Sequence, residues 1–283
     1  FDQGGYAGHR YYNKNISFNE CDFEADFLID LRASGSNVAF TDADMTVAEV
    51  KALFKDPYYV ANGNVTLNNE QVTYAASGYT ANGSQYFDNL QDAIDEVING
   101  GYITVRSNIE LTEGVTVPAG KKNTLGLNGY TITGTPTEAA AFAVITNNGN
   151  LTIDDTQNGK ILCNHTLAGS TSYAVNTITN SGTLTIVAGT IQNTSTASNQ
   201  IGYAIDNNST SGNAVVVIKG GKVTASGSVY YDGIRQFCNS ETLENNVTIE
   251  GGEVSTLWIQ NPSDGSGTQN TKDVKGSFDI TGG

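Results

Sequence analysis

The residues best able to do chemistry in this sequence are carboxylates placed at repeating intervals. "NISFNECDF" (Asn15–Phe23) matches "NVAFTDADM" (Asn37–Met45) at an offset of 22 residues. That offset lays Glu20 over Asp42 and Asp22 over Asp44 in adjacent segments. Stacked like charges are destabilising unless water or a cation neutralises them, and Ca²⁺ takes carboxylate oxygens of this kind. These four acids are therefore candidate Ca²⁺ ligands. The competing expectation is a solvated acidic face with no cofactor at all. Asp154 and Asp155 form a second pair, but neighbours on a strand point to opposite faces. A turn is expected there rather than a catalytic dyad.

A third group of residues suits ligand binding. The motif [FY]-A-[VI] recurs at Phe142–Val144, Tyr173–Val175 and Tyr203–Ile205, and degenerates to Asp232-Gly-Ile234. Aligning these copies places Asn176, Asp206 and Arg235 at one position in successive repeats. An ion pair explains Asp206 beside Arg235 without catalysis. The distance from the motif's aliphatic residue to the next repeated Ile grows from 9 (Val144 to Ile153) through 11 and 13 to 15 (Ile234 to Ile249). One edge is thus expected to widen toward the C-terminus, and insertions in repeat proteins often mark the binding face. That edge carries Arg235, Gln236, Asn239, Gln260 and Asn261, with Tyr230, Tyr231 and Trp258 near the strand starts. Amides beside aromatics suit sugar stacking and hydrogen bonding. The candidate ligand residues are Tyr230, Tyr231, Arg235, Gln236, Trp258 and Gln260. For Trp258 alone, filling the core in place of Ile is the preferred reading. Tyr230 and Tyr231 cannot both point inward.

Composition narrows the partners. The formal net charge is −15, with 14 Lys and Arg against 29 Asp and Glu. Nucleic-acid binding needs clustered basic residues, so it is excluded, and acidic polysaccharides are disfavoured. No apolar run reaches membrane-spanning length. The three cysteines, Cys21, Cys163 and Cys238, are far apart and the two histidines are isolated, so neither a zinc nor a redox spacing is present. Gly, Asn, Ser and Thr are abundant alongside Val, Ile and aromatics, which favours strands separated by turns.

The elements that must position these residues are written in a repeat. Glycines opening G-x-[IV] units at Gly129, Gly159, Gly189, Gly221 and Gly252, with Gly283 in register, are separated by 30, 30, 32, 31 and 31 residues. Ahead of these glycines stand Leu151-Thr-Ile153, Leu184-Thr-Ile186, Val216-Val-Ile218, Val247-Thr-Ile249 and Phe278-Asp-Ile280. Each period therefore holds three short alternating segments, the pattern of strands. Three strands per period of about 31 residues make one coil of a solenoid whose coils stack through parallel pairing. Ladders such as Ile186 on Ile218 on Ile249 are expected. The fold class is all-β, a parallel β-solenoid.

The run Tyr86–Gly134, followed by "GNLTIDD", "GKI" and "IEGGEV", resembles the right-handed parallel β-helix modules of bacterial cell-surface proteins in the pectate-lyase-like superfamily, which makes the expected fold a right-handed parallel β-helix. The resemblance covers roughly Tyr79–Gly283. It implies a secreted or surface-exposed module that acts as a stalk or adhesin, with glycans or host surface proteins as partners. Two alternatives share that fold: a polysaccharide lyase or glycoside hydrolase, and a phage tailspike component of a virion.

Leu90, Ala93, Ile94, Val97 and Ile98 lie at helical spacing. Asp88 or Ser84 is expected to cap the start, and Asn99-Gly100-Gly101 to end it. This helix would cover the open end of the solenoid. The 22-residue repeat before it reads as the last coils of a preceding β-solenoid. A short helix (Thr46–Lys55) and a hairpin turning at Asn68-Asn69 follow. The expected units are 1–78, the end and cap of one module, and 79–283, a second module cut short at its C-terminus, both parts of a longer chain.

Overall fold

The computed structural model describes residues 2–3, 15–21, 29–31, 37–54, 65–169, 172–196, 200–209, 211–226, 231–237, 241–260 and 275–282. It is a right-handed parallel β-helix preceded by a smaller parallel unit, with two helices among the described residues. Three sheets run along the main body. The first contains seven parallel strands, Gly101–Val105, Lys122–Gly126, Asn150–Asp154, Thr183–Ile186, Val215–Ile218, Asn245–Ile249 and Gly276–Ile280. The second stacks Ile109–Leu111, Thr131–Gly134, Lys160–Cys163, Thr190–Asn193, Lys222–Ala225 and Glu253–Val254. The third stacks Val115–Val117, Phe142–Asn147, Tyr173–Asn180, Gln200–Asn207, Tyr231–Phe237 and Leu257–Gln260.

Alternation in the short strands explains the shape. Leu151, Ile153, Leu184, Ile186, Val216 and Ile218 are all at most 1% exposed, while the residues between them are half-buried. Ile186 pairs with Ile218 and Ile218 with Ile249, as the repeat predicts. In the second sheet Ile132, Ile161, Ile191, Val223 and Val254 form the matching ladder. Each such Ile or Val is worth roughly 1.5–3 kcal/mol when buried, and no single coil could bury it alone. The turns between the first two sheets use positive φ at Gly189 (+96), Gly221 (+76) and Gly252 (+84). In the third coil Asn158 (+64) takes that role, leaving Gly159 in an ordinary conformation.

Helix α2 (Leu90–Glu96) closes the first coil and buries Leu90, Ala93 and Ile94 in the common core. Its N-cap is Asn89, whose side chain accepts from the Asp92 N–H at 2.8 Å, rather than Asp88 or Ser84. The helix ends before Val97, whose ψ of 135° leaves the helical region, so Ile98 is exposed instead of extending the apolar stripe. A hairpin of Ala76–Thr80 and Gly83–Phe87 extends the first sheet, pairing antiparallel with Gly101–Val105.

In the N-terminal unit, Asn15–Asn19, Asn37–Thr41 and Val65–Leu67 pair in parallel, with Ile16 opposite Val38 and Phe18 opposite Phe40. The two Phe rings stack at 5.2 Å. Helix α1 (Val47–Ala52) begins in a Thr46–Glu49 capping box, and Asn68 (φ +49) and Asn69 (φ +70) turn a hairpin between Val65–Leu67 and Glu70–Gln71. Val38, Phe40, Val50 and Val65 centre a separate core.

Candidate functional site

The third sheet is where the proposed ligand residues meet. Its observed register pairs Ile145 with Ile178, Ile178 with Ile205, Ile205 with Ile234 and Ile234 with Leu257. This corrects the alignment built on [FY]-A-[VI] for its first three copies, while Tyr203–Ile205 stands over Asp232–Ile234, and Asp206 beside Arg235, as aligned. Phe142 stands opposite Val175, and Asn176 opposite Tyr203. The physical reason is that buried aliphatics and amides fix the pairing, while the Tyr-Ala dipeptides belong to the variable strand starts. The spacing correction follows: Ile145 to Ile153 and Ile178 to Ile186 are both 8 residues, so the edge widens only beyond Ile205.

The next residue in each strand points outward, and there Thr179, Asp206, Arg235 and Trp258 are in register. Arg235 makes a bidentate pair with Asp206, Nε to Oδ1 and Nη2 to Oδ2 both at 2.7 Å. Its Nη1 donates to Gln260 Oε1 at 3.2 Å. The guanidinium lies over the Tyr203 ring at 4.6 Å and the Phe237 ring at 5.1 Å. Burial alone would lower the Arg235 pKa, but the hydrogen bonds it donates to Asp206, with the attraction of that carboxylate, outweigh burial and raise it, so the charge is fixed. Burial pushes the Tyr203 hydroxyl up to about 12, ahead of the opposing effect of Arg235. This is a closed ion pair whose donors are largely committed.

Trp258 is 39% exposed on that outer face and packs against Tyr203 at 6.0 Å. The core-filling reading of Trp258 is thereby corrected, because Leu257 occupies the ladder position of Ile234. Gln236 is also corrected as a ligand residue. It is 2% exposed and faces the interior. There it ends a chain of amides that sequence reasoning missed: Asn147 Nδ2 donates to Asn180 Oδ1 at 2.7 Å, Asn180 Nδ2 to Asn207 Oδ1 at 2.8 Å, and Asn207 Nδ2 to Gln236 Oε1 at 2.8 Å. Tyr230 lies outside the described residues, as do Asn239 and Asn261; Tyr231 is described only as a strand residue opposite Gly202.

The N-terminal repeat pairs at the offset of 22, from Asn15 opposite Asn37 to Asn19 opposite Thr41. The Glu20 N–H donates to the Thr41 carbonyl, and Glu20 and Asp42 share a left-handed turn conformation at φ +50 and +51. Glu20, Asp42 and Asp44 are exposed, and Asp22 lies outside the described residues. Among the described residues no three His, Cys, Asp or Glu side chains gather into a cation-sized group. Asp155 builds a turn, accepting from the backbone N–H groups of Gly129, Gln157 and Gly159. A groove of about 350 Å³ on the coil edge has Glu113 and Glu138 in its lining. Both are exposed, without the unlike environments that divide two carboxylates into acid and base.

No helix among the described residues is long and apolar enough to cross a membrane. No protein-family model, curated protein or solved structure matches the chain.

Proposed function

We propose that this chain is a non-catalytic module displayed outside the cell, a rigid rod of the pectate-lyase-like superfamily that holds adhesive contacts to glycans or host surface proteins. The observation that carries this reading is the continuity of the core. Aliphatic ladders and an amide chain run through successive coils with almost no exposed surface. Seven stacked strands at roughly 4.8 Å each give a stiff body about 29 Å long between the first and last. Such a body can be lengthened coil by coil without redesign. The most eye-catching acid–base pair, Asp206 with Arg235, is spent on a closed ion pair. The module works without a resident metal or cofactor.

Turnover assays on soluble polysaccharides, reading both new reducing ends and unsaturated products, test the non-catalytic part. Cleavage that disappears in a Glu113→Gln/Glu138→Gln variant would overturn it in favour of a hydrolase. Antibody labelling of intact source cells tests display; signal only after lysis would overturn that part.

A further inference from the structure

The hairpin that extends the first sheet creates a groove on its outer face at the end opposite Trp258. Continuing the antiparallel register of Ser77 with Thr104 and Gly78 with Ile103 sets Tyr79 opposite Tyr102. Both are unusually open for large aromatics, Tyr79 at 57% and Tyr102 at 48% exposed. Tyr102 leans over the next strand at Gly126, where any side chain would collide with its ring and hydroxyl. Gly126 thus leaves the room that the Tyr102 ring occupies over the neighbouring strand. The groove encloses about 230 Å³ between these tyrosines, Ser84, Gln85, Thr104 and Arg106. That is below the roughly 300–1,000 Å³ of drug-sized clefts, the scale of a sugar end rather than a folded partner.

Arg106 forms the floor and is held rigidly. Its Nε donates to Ser77 Oγ at 2.9 Å, its Nη2 to the Tyr86 hydroxyl at 3.2 Å, and its guanidinium lies 5.2 Å from the Tyr86 ring. A guanidinium has five N–H donors. Two are committed here, and no carboxylate among the described residues pairs with it. Arg106 as a whole is half-buried, and these bonds pre-orient its remaining donors. Carboxylates lie close by: burial first, then Asp154 and Asp155, raise the Tyr102 pKa, and Glu96 accepts from Gln85 at 3.3 Å. Together with the net charge of −15, they repel an anionic ligand. A flat aromatic wall, fixed donors and acidic surroundings fit a neutral, hydroxyl-rich ring.

We propose that this groove binds the end of a neutral saccharide, with a pyranose ring stacked on Tyr102 and flanked by Tyr79, and its hydroxyls accepting from Arg106. The site gives the adhesive reading above its ligand class and rests on that reading. The test is an array of neutral hexose and N-acetylhexosamine oligosaccharides beside sialylated and uronic-acid ones, probed with the whole 283-residue chain. Neutral glycans should be retained. The Tyr79→Ala/Tyr102→Ala variant should weaken them about tenfold or more, while Tyr102→Phe, which keeps the ring, should retain them. Thr185→Ala, on the same sheet three coil steps of roughly 4.8 Å away, should bind as the parent. Circular dichroism confirms folding of each variant. Preference for acidic glycans, or undiminished binding by the folded double variant, would overturn the groove. Loss of binding in Trp258→Ala alone would move the site to the other end and leave the adhesive reading intact. Retention of no glycan would overturn the groove while leaving the rod, with protein partners, standing.

Discussion

Asn180 shows how single residues set this structure. It is fully buried, accepts from Asn147, and donates to Asn207 and to the Gly182 and Val215 carbonyls. A buried amide that bonds both neighbours locks the register of three coils, because a slip of one residue would strand every partner. Asn180→Ala leaves the Asn207 side-chain oxygen without the Asn180 donor and removes one bond from each of the Gly182 and Val215 carbonyls, the first of which keeps the Val215 N–H, at about 1–3 kcal/mol for each group left unsatisfied. We expect a loss of about 2–4 kcal/mol in denaturant unfolding, against under about 0.5 kcal/mol for Thr185→Ala on the outer face. Equal losses would show that the amide chain does not set stability. Asp206 offers a second measurement. Its carboxylate is 4% exposed and neutralises Arg235. Asp206→Ala should cost about 3–5 kcal/mol by leaving a buried charge unpaired. Asp206→Ala/Arg235→Met should recover most of that. A double variant as unstable as the single one would assign the cost to packing instead. The amide chain was legible after all, as Ile145-Thr-Asn147, Ile178-Thr-Asn180, Ile205-Asp-Asn207 and Ile234-Arg-Gln236. The more conspicuous Tyr-Ala dipeptides masked it, since aromatic repeats look like core and single amides look like turns. Tyr79 and Tyr102 gave no such signal, because an antiparallel pairing across a helix leaves no fixed spacing in the sequence.

At the scale of elements, strands were readable and their connections were not. Period-two alternation located the first-sheet strands almost to the residue, because one face of each is fully buried. The turns that follow the second sheet vary in length and composition, and their contacts are specific to each coil. The clearest case follows Lys160–Cys163. His165 is 1% exposed; its Nδ1 accepts from the Leu167 N–H at 3.3 Å, so Nε2 carries the proton and donates to the Glu138 carbonyl at 3.1 Å. Its backbone N–H donates to Ser195 Oγ, which also contacts the Cys163 thiol. Burial, ahead of the opposing carbonyl contacts, holds the imidazole pKa below its usual 6.5. The unfolded chain therefore takes up the proton first. The stability that neutral His165 provides is complete above pH 6.5 and is lost as pH falls through the lower folded value. Melting temperature should decline from pH 7 toward pH 5, and His165→Gln should flatten that slope whatever its effect at pH 7. An unchanged slope in His165→Gln would assign the acid sensitivity to other groups.

At the scale of the whole molecule, stability is close to a sum of coils and the contacts between neighbouring coils. This makes the body tolerant of losing a whole period and intolerant of losing part of one. Asn150 pairs with Thr183, a step of 33 residues. Deleting Asn150–Gly182 removes one strand from each sheet and joins Gly149 to Thr183. Leu125 would then meet Ile186, Ile132 would meet Ile191, and Ile145 would meet Ile205. Asn147 would donate directly to Asn207, so the amide chain closes over the gap. The deleted coil takes His165 with it but leaves Asp206 beside Arg235. A deletion of half that length would instead set the first-sheet strand of one coil on a turn of the next. Apolar residues would face water, and the amides would lose their partners. We expect the 33-residue deletion to keep a β-rich circular dichroism spectrum and a single cooperative unfolding transition, and the half-period deletion to aggregate or remain unfolded. Failure of the full-period deletion would mean that contacts reach beyond neighbouring coils, and a rod extended by simple repetition could not be maintained. Success would locate any function in the features that break the period, the outer face around Trp258 and the tyrosine groove at the first coil, because the repeated positions themselves would be interchangeable.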